Sequence, residues 1–288
     1  MFKTTQQPVM AILAIVLLWS SSYVAIRIGL VEFSPGAMAL FRYLVASVVL
    51  LPFYLCMPNR TKVRRQDVPV LFLLGAIGIG VYNVVLNIGE LTVSASMTGF
   101  IIAQVPVVSI LLANVFLKER LALIGWVGIA VSVFGIFLIS FGVSLPGQFN
   151  HGVWFLLIAS ACGGVYSVSQ KPLMLRYRPM EVTTFSMWFG TICLLGWTPN
   201  LFQELNAASV SGILWVVYLG VFPAAFAYFC WAHIVKCMPA SKAVSYLYLI
   251  PGISMFFGWL VLDEVPSALA LIGAVLAMAG AILVKVKK

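Results

Sequence analysis

Long apolar runs, broken at short intervals by a few polar residues, make up almost all of this chain. Most runs are about 20 residues, the length an α-helix needs to cross a hydrocarbon core of ~30 Å. Ten can be placed, at roughly 8–28, 35–57, 69–89, 93–116, 121–142, 151–174, 181–201, 212–234, 240–262 and 266–285. The connections are short, and the longest polar stretch is MPNRTKVRRQD, 57–67. No soluble domain fits between the runs. The pattern predicts an all-α polytopic membrane protein of ten transmembrane helices. The first run lacks a small-residue cleavage site and leads into further spans, so it reads as helix 1 rather than a cleaved leader.

The polar breaks repeat. Residues 94–140 lie on residues 239–285 without a gap at an offset of 145 positions. Ala95 falls on Ala240, Ser96 on Ser241, Pro106 on Pro251, Glu119 on Glu264, Gly128 on Gly273 and Gly135 on Gly280. The same offset carries Leu74-Gly75 onto Leu219-Gly220 and Gly78 onto Pro223. Such recurrence predicts a duplication, with one half at 1–145 and the other at 146–288. Five spans per half is odd, so the second half enters the membrane the other way up. Inverted repeats of this kind give a pseudo-two-fold axis in the membrane plane and underlie alternating access, with substrate held near mid-membrane.

Composition agrees with a lipid-facing exterior. The chain is 62% apolar and 9% charged, with mean hydropathy +1.09, where a soluble domain carries roughly 25% charged residues. The net charge of +9 follows from the positive-inside bias and not from a nucleic-acid surface. With the N-terminus in the cytoplasm and spans alternating, all Lys and Arg except Arg27 and Arg42 fall on the inner side. The acids Glu32, Glu90, Glu204, Asp263 and Glu264 fall on the outer side. That predicts an N-in, C-in topology. The turn Lys118-Glu119-Arg120 is then inner, and its image Asp263-Glu264-Val265 is outer.

Several chemistries find no support. The five cysteines form no C-x-x-C pair and read as small apolar core residues. His151 and His233 stand in no metal-ligand spacing, and there is no G-x-x-x-x-G-K-[ST] loop for ATP. No G-x-S-x-G elbow is present. The expectation is no cofactor, no metal and no enzyme. An intramembrane enzyme would need a convergent nucleophile or base, and a scaffold would not explain helix breakers in matching places. What is left is a secondary transporter, either gradient-driven or a facilitator.

Pro106 and Pro251 fall within spans 4 and 9, where each removes an intrahelical bond and frees a carbonyl one turn back, at Ile102 and Leu247. Gly78 and Pro223 are matching weak points in spans 3 and 8. These four are either packing kinks or hinges. Gly125, Gly128, Ser132 and Gly135, with images Ala270, Gly273, Ala277 and Gly280, form a small-residue stripe that lets two backbones approach closely. The stripe meets a helix of the same chain or of a second subunit, so monomer and homodimer both stay open.

The stretch LWSSSYVAIRIGLVEFSPGAMALFRYLVAS, 18–47, resembles the first two helices of the EamA family of the drug/metabolite transporter superfamily. The shared features are the Trp-small-Ser opening, Pro35 and Arg42. LNIGELTVSAS, 86–96, resembles a frequent family variant before helix 4. FLKERLALIGWVGIAVSVFGIFLI and WLVLDEVPSALALIGAVLAMAGAILV resemble the two repeat ends, although Lys118 and Asp263 stand where Gly is more usual. The resemblance covers nearly the whole chain. It implies a ten-helix inverted-repeat carrier in a bacterial inner membrane, an exporter of small metabolites, with helices 1, 3, 4, 6, 8 and 9 around a central cavity.

On those helices the candidate substrate-binding residues are Trp19, Ser22 and Tyr23; Tyr82, Asn83 and Asn87; Gln104; Tyr166 and Gln170; Tyr228 and Trp231; and Tyr246 and Tyr248. Asn83 and Asn87 are four apart and share a face. Aromatic walls with a few hydrogen-bonding groups suit a small amphipathic solute, although each aromatic has an alternative role in packing. Arg42 lies about two turns into span 2, roughly 10 Å deep. Charged groups at such positions are functional candidates. Arg27 or Arg42 with Glu90 is a plausible pair, structural or functional. If protons drive transport, Glu90 is the carboxylate that fits, whereas Glu119 and Glu264 read as caps of the helices that follow them. An uptake carrier or an exchanger of the same fold is the alternative, because near-symmetry across the membrane does not give direction.

Overall fold

The computed structural model describes residues 7–117, 123–142, 149–237 and 246–284. The inner turn 118–120, Lys3, Lys242, the C-terminal lysines, and Ala240 and Ser241 lie outside the described residues. All regular structure among the described residues is helical. In the first half, α1 is Gln7–Gly29 and α2 is Pro35–Leu55. α3 is Arg65–Glu90, α4 comprises Ala95–Ile102 and Val105–Leu117, and α5 is Leu123–Gly142. In the second half, α6 is Gly152–Leu173 and α7 is Pro179–Leu194, continued through a tight turn into Thr198–Ala207. α8 comprises Val210–Leu219, Gly220–Phe226 and Ala227–Cys237, α9 comprises Tyr246–Leu249 and Ile250–Leu262, and α10 is Ala268–Val284.

Seven of these, α1 to α6 and α8, are long and apolar enough to cross a membrane, and α9 and α10 are shorter apolar helices. Their outward faces suit hydrocarbon. Val48 is 68% exposed and Val275 67%, exposures that water would penalise and lipid does not.

The helix starts are read easily from the sequence. Ser94 and Ser209 accept from the main-chain amides of Met97 (3.3 Å) and Gly212 (3.0 Å). Ser267 does the same for Ala270 at 3.2 Å, and Asn150 for Gly152 at 2.9 Å. Short polar side chains at these positions satisfy amides that the first helical turn leaves bare. α2 instead begins on Pro35, whose missing N–H is harmless there.

The interiors of α3 and α8 break in the same way. Ala76–Val81 of α3 and Gly220–Phe226 of α8 are π-helical, and the offset of the sequence repeat lays one segment on the other. Gly78 and Pro223 sit inside them. Gly75 and its image Gly220 bring these helices close to the opposite half. A Cβ on Gly75 would meet the Gly190 amide of α7 at 2.7 Å, and one on Gly220 the Arg42 carbonyl of α2 at 2.7 Å. The prolines behave alike too. Pro106 opens the second segment of α4 after a turn at Ala103–Gln104, and Pro251 opens the α-helical part of α9 after the 3-10 turn Tyr246–Leu249. Each therefore starts a fresh helix rather than kinking a continuous one.

The small-residue stripes of α5 and α10 face each other within the chain. A Cβ on Gly128 would sit 2.7 Å from the Gly280 carbonyl, and one on Gly273 would sit 2.6 Å from the Gly135 carbonyl. Gly273 is the image of Gly128, and Gly280 the image of Gly135. The contact is thus self-complementary about the pseudo-two-fold, as an isologous interface is. Backbones this close leave no room for a branched side chain. Gly135→Val is expected to destabilise the protein by about 1–3 kcal/mol through overpacking. Thermal unfolding in detergent should show a lowered midpoint for it and none for Gly252→Ala, a glycine with nothing within 4 Å.

Candidate functional site

A central cavity of about 850 Å³ of empty space, its open side included, lies between α1, α2, α3, α4, α6, α8 and α9. Its aromatic wall is built around Trp19. That indole meets Tyr228 edge-on at 5.5 Å and Trp231 at 5.6 Å, and Tyr228 in turn meets Tyr166 at 6.1 Å. The π-helix of α8 contributes directly, because the Pro223 carbonyl accepts the Trp19 indole N–H at 3.1 Å. The π-helix of α3 contributes space. Gly78 faces the Tyr166 ring, and a Cβ there would lie 2.7 Å from its Cγ. Ser22, Tyr23, Tyr82 and Pro106 complete the part of the lining that the sequence singled out.

Arg42 enters the same cavity from α2, and no other charged side chain lines it among the described residues. The residue is 5% exposed. Its guanidinium donates through Nη1 to Asn83 Oδ1 at 3.2 Å and lies 5.5 Å from the Tyr43 ring centre. Its Nε has no hydrogen-bond partner. Asn83 is fixed from behind, donating to Tyr43 Oη at 2.9 Å and to the Ile79 carbonyl at 2.8 Å. Asn83 therefore aims Arg42 and does not itself line the cavity.

The other candidates lie elsewhere. Asn87 donates to the Pro35 carbonyl at 2.8 Å and ties α3 to the start of α2. Gln104 sits at the break in α4 and points to the α5–α10 seam, where Ser132 donates to its Oε1 at 2.5 Å. Tyr248 donates to the Ala281 carbonyl of α10 at 3.0 Å. Gln170 is buried with its Nε2 unpartnered, Tyr246 is half-buried, and Pro251 is buried; none of these three lines the cavity.

Glu90 is fully enclosed, and both carboxyl oxygens lack a hydrogen-bond partner. Arg27 donates to its main-chain carbonyl and not to its carboxylate. Among the described residues the one salt bridge is Arg176–Asp67, at 2.9 Å, so the expected pairing of Glu90 with Arg27 or Arg42 is not formed as an ion pair. Its electrostatic neighbours are Arg27, Glu264 and Arg42. Glu264 corrects a second expectation. It caps α4 rather than α10, accepting from the Ala95 amide at 3.0 Å and from Ser96. Glu119, expected to do likewise in the first half, lies outside the described residues.

Sequence reasoning passed over Gly163 and Ser167, which line the cavity from α6. A signal was there, because Gly163, Tyr166, Ser167 and Gln170 follow helical spacing and share a face. The apolar lining residues, such as Leu86 and Ile250, carry no such mark in a chain this apolar.

A family comparison now bears on this geometry. Residues 7–141 match the EamA-like transporter family, and residues 150–286 match it again. The chain belongs to this family. It is a transporter and a multi-pass inner-membrane protein. The uncharacterized transporter YdfC of Bacillus subtilis (strain 168) is 35% identical over 283 residues, covering 97% of this chain and 91% of its own. A probable terminal-alkyne amino-acid exporter of Streptantibioticus cattleyicolor is 35% identical, covering 96% of this chain and 92% of its own. The uncharacterized inner membrane transporter YedA of Escherichia coli (strain K12) is 28% identical over 86% of this chain and 80% of its own. A crystal structure shares the fold, with a TM-score of 0.64 at 19% identity over 98% of this chain and 96% of that one.

The aim of Arg42 rests on Asn83, and this can be tested. Asn83→Leu removes the acceptor and leaves the guanidinium undirected. Ligand affinity is expected to fall about tenfold, the size of one charge-assisted hydrogen bond. Asn87→Leu, on the same helix face but turned away from Arg42, should leave affinity near that of the parent in the same binding titration.

Proposed function

We propose that the chain is a secondary transporter that exports small apolar α-amino acids across a bacterial inner membrane, coupled to protons, by alternating access. The carrier has ten membrane spans in two inverted halves, 1–145 and 146–288, with both termini in the cytoplasm. Substrate occupies the central cavity.

One observation carries the substrate class: a single buried guanidinium faces an aromatic wall. Arg42 supplies the anion site, and a planar fork of N–H donors matches a carboxylate. Its free Nε leaves donor capacity for a ligand. Trp19, Tyr166, Tyr228 and Trp231 offer a surface to an apolar side chain, and their ring faces attract an ammonium group. A terminal-alkyne amino acid, the compound class in the name of one 35% relative, has these parts.

Glu90 is assigned the proton. It ends α3 next to the outer start of α4, enclosed and free of donors. A carboxyl in such a place takes up or releases a proton as its neighbours move, which is what coupling requires. Arg42 and Glu90 stay unpaired, so the substrate carboxylate does not have to break an existing ion pair to bind.

Counterflow in proteoliposomes tests the substrate class. Apolar α-amino acids, terminal-alkyne members included, are expected to exchange, and their carboxamides are not. Arg42→Gln should raise the half-saturation concentration at least about tenfold. Equal exchange of acid and amide would remove Arg42 from substrate binding.

An imposed pH gradient tests the coupling. Accumulation against a concentration gradient should disappear in Glu90→Gln while counterflow persists. If both proteins exchange alike and ignore the gradient, the chain is a facilitator and Glu90 is structural.

A further inference from the structure

On the face where α2, α4 and α8 begin, three carboxylates reach from one half of the molecule to a helix start in the other. Glu32 of the first half accepts from the Ser209 amide at 2.5 Å and from its hydroxyl at 2.6 Å. Glu204 of the second half accepts from the Ser34 amide at 2.9 Å. Glu264 of the second half accepts three bonds from the first turn of α4, from Ala95 N at 3.0 Å, Ser96 N at 3.0 Å and Ser96 Oγ at 2.8 Å. The first two tie the start of α8 to the turn before α2, and the start of α2 to the end of α7. The third closes over α4 and α9, both of which line the cavity.

Three further observations set Glu264 apart. First, below its bonds α4 and α9 are in backbone-close contact. A Cβ on Gly99 of α4 would lie 3.0 Å from the Ser254 Cβ of α9, and one on Gly258 of α9 would meet the Ser96 hydroxyl of α4. At this end of the cavity the two helices meet with nothing large between them. Second, the turn that delivers Glu264 is fixed by the end of α9. Asp263 ends α9 in the left-handed region, at φ 53°, and the Glu264 amide returns to the Gly258 carbonyl at 3.1 Å. Aspartate is one of the few non-glycine residues that enter this region readily. Third, Glu264 is an electrostatic neighbour of Glu90, which lies five positions before Ala95 in the chain.

The geometry points to Glu264 as the latch of the outer gate, a positioning residue that holds α4 against α9 and keeps the cavity closed to the outside. It acts on access and touches no substrate. For the outer face to open, α4 must leave α9, and the three bonds to Glu264 are the polar contacts that must part first. Because Glu264 and Glu90 are like groups that interact electrostatically, the latch also offers a route by which the protonation of Glu90 alters the gate. The inference rests on the carrier reading and on a cytoplasmic N-terminus.

Accessibility labelling tests it without any substrate. The full chain is prepared with Cys56, Cys162, Cys193, Cys230 and Cys237 replaced by serine or alanine, and with Ser22→Cys as a single reporter in the cavity. A membrane-impermeant maleimide is added to intact cells and, separately, to inside-out membrane vesicles. Glu264→Ala is expected to raise the labelling rate in cells about tenfold without raising it in vesicles. Glu264→Gln, which keeps one acceptor oxygen, should fall between, and it decides the matter if the alanine variant does not fold. An unchanged rate in cells overturns the latch. So does an equal rise from both sides, the signature of general loosening. A failed amino-acid counterflow would leave this labelling result standing, so the two readings fall separately.

Discussion

A main-chain amide or carbonyl in hydrocarbon has no water to turn to, and leaving it unbonded is among the largest penalties a membrane protein meets. This chain repeatedly opens its helices and answers each opening from a neighbour. The π-helical stretch of α8 presents the Pro223 carbonyl, which Trp19 takes. The stretch in α3 presents Ile79, which Asn83 takes. Around the breaks in α4 and α9, Ser160 donates to the Ile101 carbonyl and Ser20 to the Ile250 carbonyl. The buried polar side chains are therefore largely answers to the breaks, and the breaks give the cavity its shape. Widened helix turns make room at Gly78 and bring the Trp19 ring into register with Tyr228 and Trp231. Folding and site construction are here one problem.

The pseudo-two-fold preserves backbone geometry and lets chemistry diverge. At the α5–α10 seam both survive, with glycine against glycine. At the two membrane faces only the geometry does. On the face where α2, α4 and α8 begin, the Ser209 amide donates to the Glu32 carboxylate. Its image on the opposite face is the Arg64 amide donating to Tyr177 Oη at 3.1 Å. A phenol stands where the other half has a carboxylate, and Tyr177 passes its own proton donor on to Asp67 at 2.7 Å, while Arg176 pairs with that same Asp67. The surroundings account for the exchange. The loops on the first face carry almost no cations, so a carboxylate there finds its positive partner in the amides of a helix N-terminus. The loops on the opposite face are rich in Arg, so the acid can sit one step further off and take a guanidinium.

What was legible in the sequence follows from this division. The repeat, the helix starts and the Gly–Gly seam were legible because they are backbone requirements. Backbone requirements select residue types, Gly, Pro, Ser and Asn, that stand out in an apolar chain. The aromatic wall was partly legible, since Trp and Tyr are conspicuous on the cavity-facing helices. The roles of Asn83, Gln104 and Glu264 were not. Spacing puts Asn83 and Asn87 on one face of α3, but it does not say whether that face meets the cavity or α2. Local sequence assigns Glu264 to the helix that follows it. Its actual partner, Ala95, is 169 positions away, and only the folded arrangement of the two halves brings them together.

The two buried charges Arg42 and Glu90 fit the same logic. Arg42 and Glu90 are both buried, and the shortest solution to burial would be to pair them. A closed buried pair, once made, costs about 3–5 kcal/mol to break by removing one partner, and a carrier that had to break it in each cycle would turn over slowly. Here neither group closes on the other. Asn83 holds Arg42 by its side-chain oxygen, and Arg27 meets the main-chain carbonyl of Glu90 rather than its carboxyl. Asn83, being neutral, fixes the direction of Arg42 without cancelling its charge. The guanidinium thus stays available to an anion entering the cavity, and the carboxyl stays available to a proton, with Glu264 and the first turn of α4 close by. The separation of the two groups links the unpaired atoms to the transport cycle proposed for them.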